Sequence, residues 1–243
     1  MERHGILLFS ALLLSAQGLD AQPSAPRDGE PRRATAVAER TLDGIQLDGL
    51  ADEPVWRSAL AVSGFRQYDP APDAEPSERT EFRVAFDQDN LYLFVRAFDS
   101  HADSIMHALS RRDVRGPSDQ IGVLIDSYND RRTGFAFYVN PDGVKRDFAV
   151  YDDGNQDGSW SGVWEAATRV DSLGWTAEFR IPLSQLRYSD SQTHTFGFGV
   201  RREISGTTSG RAGPCTARPP QASCPSSASS KGCTASLRLG AWS

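Results

Sequence analysis

The sequence predicts an all-β fold: an antiparallel β-sandwich with one or two short helices. Three observations predict it. Apolar residues in the middle of the chain recur with period two rather than 3.6, the alternating runs are short, and tight turn signals separate them. That pattern favours a sandwich over a βαβ fold. The segment carrying it, roughly 170 residues long, can bury about 70% of its unfolded surface and needs no disulfide to fold.

In chain order, the first element is a targeting segment. In MERHGILLFSALLLSAQGLDAQ, Arg3 and His4 precede an apolar run from Ile6 to Leu14, and small residues follow at Ala16, Gly18 and Ala21. A basic start, a short apolar core and small residues are the layout of a secretory signal, with a break expected after Ala21. The run is shorter than the ~20 residues needed to span a bilayer. Residues 22–40 open with QPSAPRDGEPRR, rich in Pro and charge, and read as a linker. DEPVWRSA (52–59) predicts two helical turns with Asp52 as cap and Pro54 in the first turn. Strands are expected at 80–87, 90–99, 120–127, 133–140, 146–151, 163–170, 174–181 and 195–203. In TEFRVAFD, for example, Phe82, Val84 and Phe86 share one face and Glu81 and Arg83 the other. DQDN (87–90) and NPDG (140–143) supply turns, the second with Pro141 and Gly143 at positions a type I turn prefers. DSIMHALSRR (103–112) predicts a short amphipathic helix, and PLSQLR (182–187) a single turn.

After Ile204 the composition changes abruptly. Residues 205–243 contain one aromatic and all three cysteines, Cys215, Cys224 and Cys233. Their spacing fits no tight zinc pattern, and an odd count in an exported chain leaves a thiol unpaired. So little apolar surface cannot offset the entropy of ordering, so this stretch is expected to be a disordered or out-of-frame tail. The net charge of −6 argues against a nucleic-acid partner, which needs a basic face. It suits neutral ligands and metal cations.

Five landmarks occur in order: LDGLADEPVWRSA (47–59), the D-x-x-LY-x-x-x-x-A-x-D stretch (87–99), SDQIGVLID (118–126), TGFAFYVNPDG (133–143) and GWTAEFRIPLSQLR (174–187). Over residues 41–204 the chain resembles the family 9 carbohydrate-binding modules. It resembles still more closely the family-9-like front domains of exported bacterial proteins that continue into an outer-membrane β-barrel. The resemblance implies a jelly-roll-like sandwich. In the sugar-binding members a sugar ring lies between two tryptophans. The position of the first holds Gly116 here, the position of a sugar-binding carboxylate holds Gly122, and that of an Arg holds Tyr138. The second tryptophan belongs to a part that the tail does not match. The family's sugar clamp is therefore not reproduced residue for residue.

Several stretches carry candidate chemistry. Asp153, Asn155, Asp157 and Gly158 match the front half of a D-x-[DN]-x-[DN]-G calcium loop, yet Trp164 stands where the bidentate Glu belongs. An acidic hairpin turn whose Asp and Asn bond local backbone is the preferred reading of DDGNQDGSW. Trp160 and Trp164 could share a face; an exposed indole stacks on a pyranose, and flanking polar groups take its hydroxyls. Trp164 is expected in the core together with Trp56 and Trp175, and Trp160 is left open. SRRDVRGPSD (110–119) is either a solvated connection or a grip for hydroxyls or a uronic carboxylate. No HExxH, no GxSxG and no phosphate-cradling glycine motif is present, so nothing points to catalysis. Haem ligation through Met106 and His107 has little support with a single methionine beyond the start.

The expectation is an exported, non-catalytic carbohydrate-binding sandwich, periplasmic, outer-membrane associated or secreted, in the service of carbohydrate catabolism or of a glycoside hydrolase. Its partner is a xylan- or glucan-type poly- or oligosaccharide, its site Trp160, Asp119, Arg112, Tyr138 and Asn140, and its one candidate cofactor calcium at Asp153, Asn155 and Asp157. The competing expectation is an interaction domain of a truncated outer-membrane barrel protein with no sugar binding. Calcium should give no calorimetric heat if the turn is only a turn.

Overall fold

Two sheets face each other because each long strand puts one row of large apolar side chains on the same side. The computed structural model describes residues 35–152, 154–188, 194–205, 215–217 and 235–239, all in one compact unit. Its strands are β1 (Thr35–Val37), β2 (Glu39–Arg40), β3 (Phe65–Gln67), β4 (Thr80–Phe86), β5 (Asn90–Phe98), β6 (Gln120–Asp126), β7 (Gly134–Val139) and β8 (Lys145–Tyr151). They continue with β9 (Asn155–Asp157), β10 (Glu165–Asp171), β11 (Gly174–Pro182), β12 (His194–Glu203), β13 (Cys215–Ala217) and β14 (Ala235–Leu239). Among the described residues one helix, α1, spans Pro54–Ser58, and single 3₁₀ turns lie at Ala102–Ser104 and Leu183–Gln185.

The smaller sheet runs β10-β11-β5-β4-β2, and the larger runs β1-β14-β12-β6-β7-β8-β9 with β13 joining β12 to β3. All pairings are antiparallel except β1 with β14 and β2 with β4. Leu91, Leu93, Val95, Trp175, Ala177 and Phe179 from the smaller sheet meet Ile121, Val123, Phe137, Val139, Phe198 and Val200 from the larger in one buried core. Trp164 stacks on Phe179 with ring centroids 5.8 Å apart. Fully burying a side chain of this size contributes roughly 1.5–3 kcal/mol, so the alternation in each strand is what closes the sandwich.

A second apolar layer covers the outside of the smaller sheet. Ile45, Val55, Trp56 and Ala59 pack on Ala85, Tyr92 and Phe94, so β5 is buried on both faces. Pro54 opens α1, as expected from its fixed φ. The capping position is Glu53 rather than Asp52, and it makes no side-chain cap; its carboxylate instead accepts the Gln46 amide at 3.0 Å. Trp56 is thus an anchor of this outer layer, whereas Trp175 and Trp164 lie in the main core.

Three expectations about elements differ from the structure. Residues 103–112 form no helix beyond the 3₁₀ turn. The Met106 carbonyl accepts from Asp119 N and the Ala108 carbonyl from Asn140 Nδ2, so these backbone acceptors serve neighbouring segments rather than a helical ladder. Sheet structure also reaches outside 41–204: β1 and β2 lie in the stretch read as linker, and β13 and β14 in the stretch read as tail. All four are five residues or shorter, and β1 and β2 pair with strands distant in sequence, which leaves little local pattern to detect.

Candidate ligand-binding face

The register of the larger sheet sets up its outer face. Val200, Val123 and Phe137 point into the core, so their neighbours Arg201, Gly122 and Tyr138 point out. Arg201 pairs with Gly122, Gly122 with Tyr138, and Tyr138 with Arg146, giving one row across β12, β6, β7 and β8. Glu203 and Gln120 pair in the next row. Gly122 lets this arrangement exist: a Cβ there would come within 2.3 Å of the Tyr138 ring. Tyr138 lies across the glycine, stacks at 5.8 Å and 19° on Phe148, and is 3% exposed. Burial, above all, pushes its phenol above the ordinary value. The ring is a floor and not a surface.

On that floor sits the Arg146 guanidinium, 4.3 Å from the Tyr138 ring centroid and 5.2 Å from that of Phe148. Its Nη2 donates to Gln120 Oε1 at 3.3 Å, and its buried Nε has no hydrogen-bond partner. Glu203 receives Arg115 Nη2 at 2.7 Å and lies 3.3 Å from Arg201 Nε. Arg201 in turn lies 5.5 Å from the ring of Tyr68, which is 36% exposed. Planar cations, one carboxylate, an amide and a solvent-reachable ring therefore share this face, a set suited to hydroxyls and anions.

The five residues singled out from the sequence do not form one surface. Tyr138 belongs to the face just described. Asp119 is fully enclosed and accepts the Ser205 amide at 2.8 Å. Asn140 is buried, accepts from Asp142 N and Val144 N through Oδ1, and donates to the Ala108 carbonyl. Asn140 and Asp119 thereby hold the 105–119 loop that carries Arg115. Arg112 donates at 2.5 Å to the buried Asp147 and at 2.7 Å to the Gly162 carbonyl. Asp147 also receives Gly162 N and Trp164 Nε1. Trp160 packs on Phe135 and Phe137, at 4.8 and 5.8 Å, on the opposite side of β7 from Tyr138.

Of the calcium candidates, Asp153 lies outside the described residues. Asn155 and Asp157 are in β9, where Asn155 Nδ2 donates to the Asp152 carbonyl and Asp157 Oδ1 accepts from Ser159 N and Oγ. Among the described residues, Glu78, Asp99 and His101 also bring ligand atoms within 4.8 Å of one another. Glu78 there accepts from Ser100, and Asp99 accepts from the His101 amide and Arg202.

Sequence reasoning missed Arg146, Arg201, Gln120, Glu203, Arg115 and Tyr68 as a group. The signal was partial: in GVRRE period two places Arg201 and Glu203 on the side opposite Val200, whereas in RDFAVY Arg146 shares its side with Phe148 and Val150 and so shows no polar face. Cross-strand register was needed to bring them together.

The sequence matches the model of the family described as carbohydrate family 9 binding domain-like over residues 47–214. No curated protein matches it. Among solved structures, a family 9 carbohydrate-binding module from Caldicellulosiruptor kristjanssonii in complex with glucose superposes with a TM-score of 0.58 at 14% identity, covering 86% of this chain and 97% of that one. The same description applies to a cellotriose complex from that organism, with a TM-score of 0.57, 12% identity and coverage of 86% and 95%. A candidate carbohydrate-binding protein from Bacteroides uniformis gives a TM-score of 0.62 at 12% identity, with coverage of 86% and 100%. At such identities these structures share the fold.

Proposed function

The chain belongs to the carbohydrate family 9 binding domain-like family, and from that premise we propose that it is a non-catalytic carbohydrate-binding module using the outer face of its larger sheet. Family membership is the observation that carries the ligand class. Support for the place comes from the row Arg201–Gly122–Tyr138–Arg146, with Gln120, Glu203 and exposed Tyr68 beside it. Guanidinium and amide groups would take sugar hydroxyls, and Tyr68 would offer a ring to a pyranose face. Glucose and cellotriose in the complexes of structural neighbours support an oligosaccharide of glucan type, and the proposal extends to xylan. The layout of residues 1–21 supports export, and with it a role in carbohydrate catabolism outside the cytoplasm.

The test is isothermal titration of the folded protein with xylo- and cello-oligosaccharides and with soluble polysaccharides. Saturable heat that Arg201→Ala abolishes supports the reading; no heat with any sugar overturns it. A second reading, an interaction domain of an exported barrel protein, is favoured by one observation. The family's tryptophan and carboxylate positions hold Gly116 and Gly122, and a side chain at Gly122 would strike Tyr138. Capture of a protein partner by a chain that binds no sugar would favour that reading.

A further inference from the structure

We propose that the ligand of this face is an anionic glycan, one that bears uronic acid carboxylates, gripped by Arg115, Arg146 and Arg201. The inference rests on the sugar-binding reading and narrows it to a substrate class.

Charge bookkeeping on the face carries it. Arg115 and Arg201 share a single carboxylate, that of Glu203, at 2.7 and 3.3 Å. Arg146 has the neutral Gln120 as its polar partner and two aromatic rings beneath it, with no carboxylate within ion-pair distance among the described residues. Three guanidinium groups against one carboxylate leave an excess of two positive charges, on a chain whose net charge is −6. Sequence neighbours do not supply the balance. Asp113 receives the Asp147 amide, and Asp147 binds Arg112, Gly162 and Trp164 on the core side of the sheet. Arg66, in line with the same row through β13, is paired with Glu75.

A neutral glucan would leave those charges uncompensated on binding, whereas a uronate carboxylate would pair with them. Guanidinium is the cation best shaped for this, because its planar fork meets a carboxylate with two parallel hydrogen bonds. Arg146 is preorganised for it: the Tyr138 and Phe148 rings fix the plane of its guanidinium, and Gly122 makes room for the ring below. Arg115 and Arg201 reach solvent, with side chains 64% and 26% exposed. The overall negative charge does not prevent such binding. At physiological salt the screening length is about 8 Å, so surface acids far from the site contribute little against cations in contact.

The experiment compares polygalacturonate with the same polymer after its carboxyl groups are reduced to neutral hydroxymethyl groups. Titration of the full chain with both, and with a sulfated dextran as a general polyanion, is run at low and physiological salt. Tighter binding of the uronate polymer than of its reduced form is expected. Arg146→Gln and Arg201→Gln should each weaken uronate binding about tenfold, the size of one lost charge-assisted pair. They should weaken binding of the reduced polymer by a smaller factor, because a hydroxyl forms only a neutral-acceptor hydrogen bond with the same guanidinium. Arg83→Gln, on the outer side of β4 in the other sheet, should change neither. Thermal denaturation of each variant shows that it is folded, and should one arginine variant fail to fold the other carries the test. Equal affinity for both polymers, or folded arginine variants that bind uronate normally, overturns the inference and leaves the sugar reading standing. Sulfated dextran bound as tightly as uronate also overturns it, as generic attraction to polyanions. Failure of the chain to bind these polymers or any neutral oligosaccharide overturns the sugar reading itself.

Discussion

Glu178 shows how one buried acid can govern the pH dependence of a whole domain. It stands on the outer face of β11 with none of its surface exposed. Its Oε2 accepts the Asp48 and Gly49 amides, both at 3.1 Å, and its Oε1 accepts Trp56 Nε1 at 3.1 Å. The carboxyl thus staples the 47–59 segment to the sheet. Burial outweighs those donors, Glu53 adds repulsion, and the carboxyl is pushed up from 4.5 to about 7. Between these values the folded chain holds a proton that the unfolded chain has lost. The contribution to stability is therefore complete below pH 4.5 and disappears as pH rises through 7. An interval of that size corresponds to roughly 3 kcal/mol. Urea unfolding at pH 5 and pH 8 should show the decline, and Glu178→Gln should flatten it; an unchanged slope in the variant would remove Glu178 from the account. The Arg202–Asp99 pair behaves differently, because both side chains are fully buried and Arg202 also donates to the Phe98 and Arg79 carbonyls. Removing one partner leaves the other charge enclosed, so Asp99→Ala should cost about 3–5 kcal/mol, measurable as a lowered denaturation midpoint. At the β8–β9 hairpin, by contrast, Asn155 and Asp157 bond locally, and calorimetry with calcium should give a flat trace.

Among the elements, the turn between β10 and β11 has the least tolerance. Gly174 has φ +132°, and a Cβ there would come within 2.1 Å of the Ala97 carbonyl oxygen. Both the left-handed backbone and the closeness of β5 exclude a side chain, so Gly174→Ala should destabilise by on the order of 3 kcal/mol or more. A thermal midpoint equal to that of the native chain would refute this. The strand pairs on either side of this turn were legible in the sequence, since GWTAEFRI alternates strictly and its inward residues Trp175, Ala177 and Phe179 are all fully buried. Helix was less legible. DSIMHALSRR has a helical apolar spacing, yet Ile105 is buried, Leu109 is 83% exposed, and neighbouring strands take the carbonyls a helix would need. Tyr92 and Phe94 were readable only as the outward row of β5. Their burial depends on α1 crossing that face, a contact between segments that no local pattern encodes.

Over the molecule as a whole, the fold could be read strand by strand, while the candidate face required pairing. Arg146 and Arg201 are 55 positions apart and share one row only because β6 and β7 lie between their strands in register. The same non-local logic governs the ends of the chain. Along one side of β12, β14 pairs with His194–Phe198 and β13 with Arg201 and Arg202, while β6 pairs along the other side. Without them β12 becomes a free edge. It would be a poorly protected one, because its inward residues Phe196, Phe198 and Val200 are apolar and its outward neighbours include Gly197 and Gly199, which carry no guarding side chain. A long, flat, unguarded edge recruits further strands. A chain ending at Ser205 should therefore elute from size exclusion at a larger apparent mass than the full chain, or be lost as insoluble material. Adding Thr195→Lys, on the outward row of β12, should restore much of the soluble species, since a charge on the edge opposes strand addition. Identical elution of the shortened and full chains would mean that β13 and β14 protect nothing. A shortened chain that unfolds outright, with no ordered oligomer, would instead make them part of the sandwich's stability.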